Sequence, residues 1–560
     1  MTGHRDGLTR RSILPVLGLG LVAAAGEGHA QQMIAPLADG APGTVLQPGV
    51  HRVMANTTLH GDLMLLPGAR IEIARGRTLA VLGQFAAPLS QVFIGEGRVN
   101  LNGSRTPAAY PEWWGAVAGD GNADCLPALT ACLAAHPSML LGPGDYYIAD
   151  TWTIERGFCR IWGSGYRGTE NGRGTRILVK SGSADVIRVG FARPPGSIND
   201  FLQAVDLRWM SLARAMPVDA AGSRLPVGLN AQYLVCCQFE GVSAFEHGVG
   251  FRASGVVRSY FRDCMAFRSL PGRQGSAPFR GFLLDGMADI GLAGGNASIF
   301  LVDCNASMGG QPRVADPVGL LLDGGFADSY IINFETAGIA NGIRARGRSA
   351  ELGRRAMTGH GNLHIRMPII DQCSGIGIEV SDTSEHGLIE LAEPYIAVAR
   401  GSPAAIRLDR MRGALSISGG QLYGRTDAEG GGAAVGLHAS DSRGLAISGL
   451  KVLEHREPIR LERCSGLSLQ SWIGNPTQAT QQAAVNVAAC RHGSIAVQVS
   501  GKDGAFPQGV AVTGEAEWLR IDVSGIDAAA LAGGAAARAV LQQQPLRVPG
   551  RMGGVVVDGA

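Results

Sequence analysis

The chain has 560 residues, of which 82 are Gly and 27 Pro; 46% are apolar and only 17% charged. Lys plus Arg (49) nearly cancel Asp plus Glu (47), and no basic run occurs, which argues against a nucleic-acid partner. No apolar stretch reaches the ~18 residues of a spanning helix, so no membrane span is expected; low charge and abundant Gly suit many short strands joined by tight turns.

In chain order, Thr9-Arg10-Arg11-Ser12-Ile13-Leu14 opens a weakly apolar run to Ala25, and Gly28-His29-Ala30 supplies small residues at the positions a signal peptidase reads. Residues 1–30 thus resemble a twin-arginine export signal, with an ordinary secretory signal as the alternative. The expected destination is the periplasm or the exterior, with the export machinery as a first partner. Residues 31–110 form a β-rich segment of alternating runs such as Leu63–Ile73, either extra turns of the main fold or a small module. A motif follows: Pro111-Glu-Trp-Trp-Gly-Ala116, Gly119-Asp-Gly121 and Leu140-Leu-Gly-Pro-Gly-Asp-Tyr-Tyr-Ile148. Between its parts a helix is predicted over 125–135, capped by Asp124. Residues 526–560 are an Ala/Gly-rich cap or tail.

From about residue 230 an alternating strand recurs. Aligning its copies puts one apolar residue in the same column: Phe239, Phe261, Leu301, Ile331, Ile365, Leu391, Ile417, Ile447, Leu469, Val497 and Ile521. A second column runs through Gly281-Phe-Leu-Leu-Asp285, Gly319-Leu-Leu-Leu-Asp323, Gly377-Ile-Glu-Val-Ser381 and Ala405-Ile-Arg-Leu-Asp409. One copy cannot bury its inward face alone, but stacked copies bury a continuous core. The fixed Leu/Asn frame of leucine-rich repeats is missing. So are the amphipathic helices that long helical crossovers require. Periodicity therefore predicts an all-β parallel β-helix, one turn per copy, spanning 111–525.

The motif at 111–148 resembles the start of the pectate-lyase-like and phage-tailspike-like family of right-handed, single-stranded parallel β-helices. That family includes polysaccharide lyases and depolymerases. Its usual Asp-Asp-Thr before the helix reads Ala123-Asp124-Cys125 here, which weakens assignment to a subfamily. The resemblance implies that the helix plugs the open end of the solenoid. It also implies a polysaccharide substrate and either a monomer or a homotrimer.

On a strand, residues flanking an inward side chain point outward. Read this way, polar and aromatic groups gather between residues 330 and 395. Tyr330, His364 and Glu390 should stack on successive turns, with Arg366 beside His364. These are the candidate catalytic residues of a lyase: Arg366 to neutralise a uronate carboxylate, His364 to take the adjacent proton, Tyr330 to protonate the leaving oxygen and Glu390 to orient the imidazole. Tyr260, Arg262, Tyr395 and Tyr423 are candidate substrate contacts. The rival set is a carboxylate pair for glycoside hydrolysis, Glu335 and Asp371, with Glu393 able to join. A non-catalytic glycan-binding envelope protein is the third reading. Asp263, Asp303 and Asn333 sit at turns, where a polar ladder is expected. No cofactor and no metal are expected. Asp382, Glu385 and Asp409 are too scattered for a calcium site. The ten Cys lack paired metal spacing and are expected to be buried thiols.

Overall fold

In the computed structural model, parallel strands follow one another in chain order, each hydrogen-bonded to its counterpart one turn later. The described residues are 33–34, 43–165, 174–218, 224–269, 278–285, 296–309, 314, 316–324, 326–347, 361–399, 401–424, 435–474, 482–500, 506, 509–514, 516–524, 540–542 and 556–559. The segment 1–30 and most of 526–560 lie outside them. The architecture is a right-handed, single-stranded parallel β-helix.

The alternation in sequence explains the strands. In Ser329–Ile332, Asn362–Arg366 and Leu388–Ala392 every second side chain is buried. Those buried residues stack. Met139, Ile161, Leu207, Phe239, Phe261, Leu301, Ile331, Ile365, Leu391, Ile417, Ile447, Leu469, Ile495 and Ile521 pair in succession. None is more than 2% exposed. Two differences from expectation follow. The column begins near residue 139 rather than 230. It also passes through Ile495, not Val497, which pairs with Ser471 and Val523. Both Ile495 and Val497 point inward, so a slip of two residues leaves every face unchanged and the pattern cannot detect it.

The second column is as aligned: Phe282, Leu320, Ile343, Ile378 and Ile406 pair successively. Beside it run Gly281, Gly319, Gly342 and Gly377. A Cβ at these positions would lie 2.4 to 2.7 Å from side-chain carbons of Ala306, Thr336, Ile370 and Ile396. The interior is that narrow, which is one reason the chain is rich in glycine.

Residues 43–100 are solenoid turns of a shorter period. One turn runs from Gly49 to its partner Ala69, 20 residues on. Their core is continuous with the rest, one cluster running from Leu46 to Val523. The helix spans Leu126–Ala135, one residue shorter than expected, and Cys125 holds the boundary position. Asp124 still serves its start, accepting from the Leu126 and Ala149 backbone N–H groups, both at 3.1 Å. The helix does not plug an open end. Its last carbonyl, of Ala135, accepts from Leu101 N–H, and Ala109 bridges to Met139, so it sits where short and long turns join. The family-like motif is locked there too. Buried Tyr146 donates to Glu112 at 2.5 Å, while Trp113 and Trp114 pack on Phe85 and Phe93.

All ten cysteines are free thiols and nine are buried. No described helix is long and apolar enough to cross a membrane.

Candidate functional site

Each turn that carries the candidate residues bends at one residue in the left-handed region. These corners are Trp209, Gly241, Asp263, Asp303, Asn333, Met367, Glu393, Gly419 and Gly449, with φ between 49° and 68°. Asp, Asn and Gly tolerate that backbone best. The polar ladder expected here is present, since Asn333 donates to Asp303 at 2.8 Å. The corner holds two outward faces at a fixed angle, one on the strand before it and one on the strand after.

On the face before the corner, Tyr260, Phe300, Tyr330, His364 and Glu390 pair in strict succession. Parallel in-register strands bring identical positions within ~4.8 Å of each other, the separation at which flat rings stack. Tyr260 lies 4.5 Å from Phe300 (11° between planes), Phe300 lies 5.2 Å from Tyr330 (2°), and Tyr330 lies 4.6 Å from His364 (9°). Four rings form one rail along the solenoid. Phe300, not chosen from sequence, is the link that makes it continuous.

The rail ends in a charged knot. His364 Nδ1 lies 2.6 Å from Glu390 Oε2, and Arg366 Nη2 donates to the same oxygen at 2.9 Å. These two hydrogen bonds, His364 first, hold the Glu390 carboxyl below the ordinary glutamate range. Glu390 also keeps the Arg366 guanidinium firmly charged. His364 is mostly covered, its side chain 15% exposed, whereas Arg366 is 47% exposed. A carboxylate on Nδ1 favours the proton there and leaves Nε2 as the basic atom. Tyr330 meets His364 ring on ring, so its contact with the imidazole is stacking.

The remaining candidates fall on other columns. Arg262 is exposed on the Arg366 side of the strand, two turns before Ile332, which pairs with Arg366. After the corner, Glu335, Ile369 and Tyr395 share one column, and Ala337, Asp371, Ala397 and Tyr423 share the next. Tyr395 is well exposed, and Tyr423 is half-buried. Glu335 and Asp371 are diagonal neighbours, about 8 Å apart by strand geometry. Glu393 does not join them. It is a corner residue at φ 50°, between Met367 and Gly419. Away from this surface, the Glu246 carboxylate accepts from Ser269, and buried His247 faces the Leu212 carbonyl. Among the described residues no three His, Cys, Asp or Glu side chains converge as a metal site would need.

Sequence reading missed the start of this surface. The outward column extends back through Gln238 and Asp206 to Arg160. There Trp162 and Trp209 lie 5.7 Å apart, and Arg208 sits over Trp162. The spacing of Ile161 and Leu207 was the available signal, obscured by a long intervening excursion. A depression of about 710 Å3 lies toward the C-terminal end and is lined by none of these candidates.

No known family and no curated protein match the sequence. Solved structures do match in shape. A tailspike protein variant of E. coli bacteriophage HK620, solved in complex with a pentasaccharide, has a TM-score of 0.54 at 12% identity, covering 79% of this chain and 76% of that one. The chain is similar to it in fold. Tailspike protein 3 of bacteriophage CBA120 aligns at TM-score 0.41 and 12% identity over 79% of this chain, which spans 62% of that protein. The A-module of the Azotobacter vinelandii mannuronan C-5 epimerase AlgE6 aligns at TM-score 0.34 and 13% identity, covering 78% of this chain and all of that one.

Proposed function

We propose that the protein is an exported polysaccharide-active enzyme that cleaves an acidic polymer by β-elimination at the His364–Glu390–Arg366 knot. The observation that carries this is the ring rail of Tyr260, Phe300 and Tyr330 running directly into that knot. The rings stack on one another and turn their edges and the tyrosine hydroxyls outward, where a glycan can meet both apolar carbon and hydrogen-bonding groups, and Arg366 can face a uronate carboxylate while one of its nitrogens stays on Glu390. His364 Nε2 takes the proton on the carbon next to that carboxylate. The electron pair left behind forms a carbon–carbon double bond and expels the glycosidic oxygen. Tyr330 or water returns a proton to that oxygen. Two chains leave, one with an unsaturated uronate at its end. The pentasaccharide bound to the HK620 tailspike supports a glycan on this scaffold. The Arg10-Arg11 segment supports export to the periplasm or beyond.

A second reading has one observation in its favour. Register sets Glu335 and Asp371 diagonally on one outward face of neighbouring turns, which supplies the two carboxylates that glycoside hydrolysis needs. One assay separates them. The mature protein is incubated with acidic polysaccharides while ultraviolet absorbance of unsaturated uronates and reducing ends are followed together. Elimination gives both signals; reducing ends alone would assign cleavage to hydrolysis. Neither signal, with retained glycan binding, would make this a binding protein of the envelope.

A further inference from the structure

The corner that bends every turn from Trp209 to Gly449 is deleted further on. Ser448 pairs with Gln470 and Leu450 with Ser471, so Gly449 has no counterpart in the next turn. From there Ser465–Gly474 and Arg491–Ser500 run as unbroken ten-residue strands, and Glu517–Ser524 continues the pattern. Inward residues alternate straight through, with Ser471, Val497 and Val523 all buried. Two outward faces that a corner separates elsewhere become one. The 710 Å3 depression lies on that merged face.

Its lining is hydroxyl-binding in character. Trp472 offers an aromatic plane, Gln470 and Gln498 offer amides, and Ser524 offers a hydroxyl. Lys451 and Asp522 add one charge of each sign, so the lining is neutral overall. Among the described residues, the side chains of Lys451, Gln470, Trp472, Gln498 and Asp522 have no hydrogen-bond or ion-pair partner. Amides that both donate and accept, set beside an indole, match a sugar ring, which has an apolar face and a rim of hydroxyls. The volume lies within the range of ligand sites. We infer that this cleft is a second carbohydrate site, taking an uncharged oligosaccharide segment. The inference does not depend on the activity assigned to His364, which lies on the face before the corner. From His364 the column steps through Glu390 and Ser416 to Ala446, on the strand that carries Lys451, a separation of three turns or about 14 Å along the axis.

The test uses the mature protein on an array of neutral gluco-, manno- and galacto-hexaoses, with oligogalacturonate as the acidic counterpart. Binding to at least one neutral hexaose is expected. It should weaken at least tenfold in Trp472→Ala and in Ala496→Trp, which fills the cleft from its floor between Gln470 and Asp522. It should persist in His364→Ala. Two variants are used so that a folding defect in one, seen by circular dichroism, leaves the other decisive. Absence of any neutral binding overturns the inference. So does neutral binding unchanged in the folded cleft variants, or lost only in His364→Ala, which would place it on the ring rail.

Discussion

Glu390→Gln is the substitution that most directly probes the proposed knot. It keeps size and shape but removes the charge that His364 and Arg366 share at 2.6 and 2.9 Å. The two contacts differ in strength. The Arg366 contact is half exposed and screened by water, so it adds little to stability. The His364 contact is better covered and approaches the ~1.5 kcal/mol of a charge-assisted bond. Stability should therefore fall by only about 1–2 kcal/mol. Turnover should fall much more, by a factor of about 10² to 10⁴, because an amide neither fixes the Nδ1 proton nor stabilises the imidazolium that forms. The assay is kcat/KM on an acidic polysaccharide followed by ultraviolet absorbance, with thermal melting in parallel. The pH dependence gives an independent check. The folded-state value of Glu390 is depressed. Its contribution is thus fully present above the ordinary glutamate value near ~4.3 and is lost as pH falls through the lowered folded value. Glu390→Gln should flatten that part of the melting-versus-pH curve. Unchanged turnover in a folded Glu390→Gln protein would refute the mechanism.

Other outcomes follow from the same geometry. Tyr260→Ala, at the exposed start of the rail, should raise KM about 2–12-fold with kcat nearly constant, since one stacked pair is worth about 0.5–1.5 kcal/mol; steady-state kinetics would show it. Ile365→Ala empties a fully buried site in the core stack and should cost about 2–5 kcal/mol in denaturant unfolding. Met367→Gly should raise stability by about 1 kcal/mol in the same measurement, because Met367 is exposed and holds φ 51° without a side-chain reason to do so. Burial pushes His247 and His455 down to about 3. The unfolded chain takes up protons there first, so stability should fall as pH drops below ~6.5, by about 1.4 kcal/mol per unit for each histidine. His455→Leu should reduce that slope in melts between pH 7 and 5.

The architecture and much of the outward surface were legible in the residues alone. Period-two alternation decides which side chains face in, and copies such as Ser329-Tyr-Ile-Ile and Leu363-His-Ile-Arg then place Tyr330 above His364 without coordinates. The left-handed corner kept those copies in register, because it breaks the alternation at one fixed point, most often with Asp, Asn or Gly but with Met367 and Glu393 in two of the copies. Where that marker disappears, after Gly449, the sequence lost its register and Val497 stood in for Ile495. The same deletion merges two faces and opens the C-terminal cleft, which no local pattern announces. The helix over 126–135 was visible as a helix, yet its place at a junction depended on the short-period turns before it. Side-chain geometry was likewise tertiary. Stacking fixes neighbours along the axis, but whether His364 meets Glu390 by hydrogen bond and Tyr330 by its ring face is set by rotamers packed three turns deep.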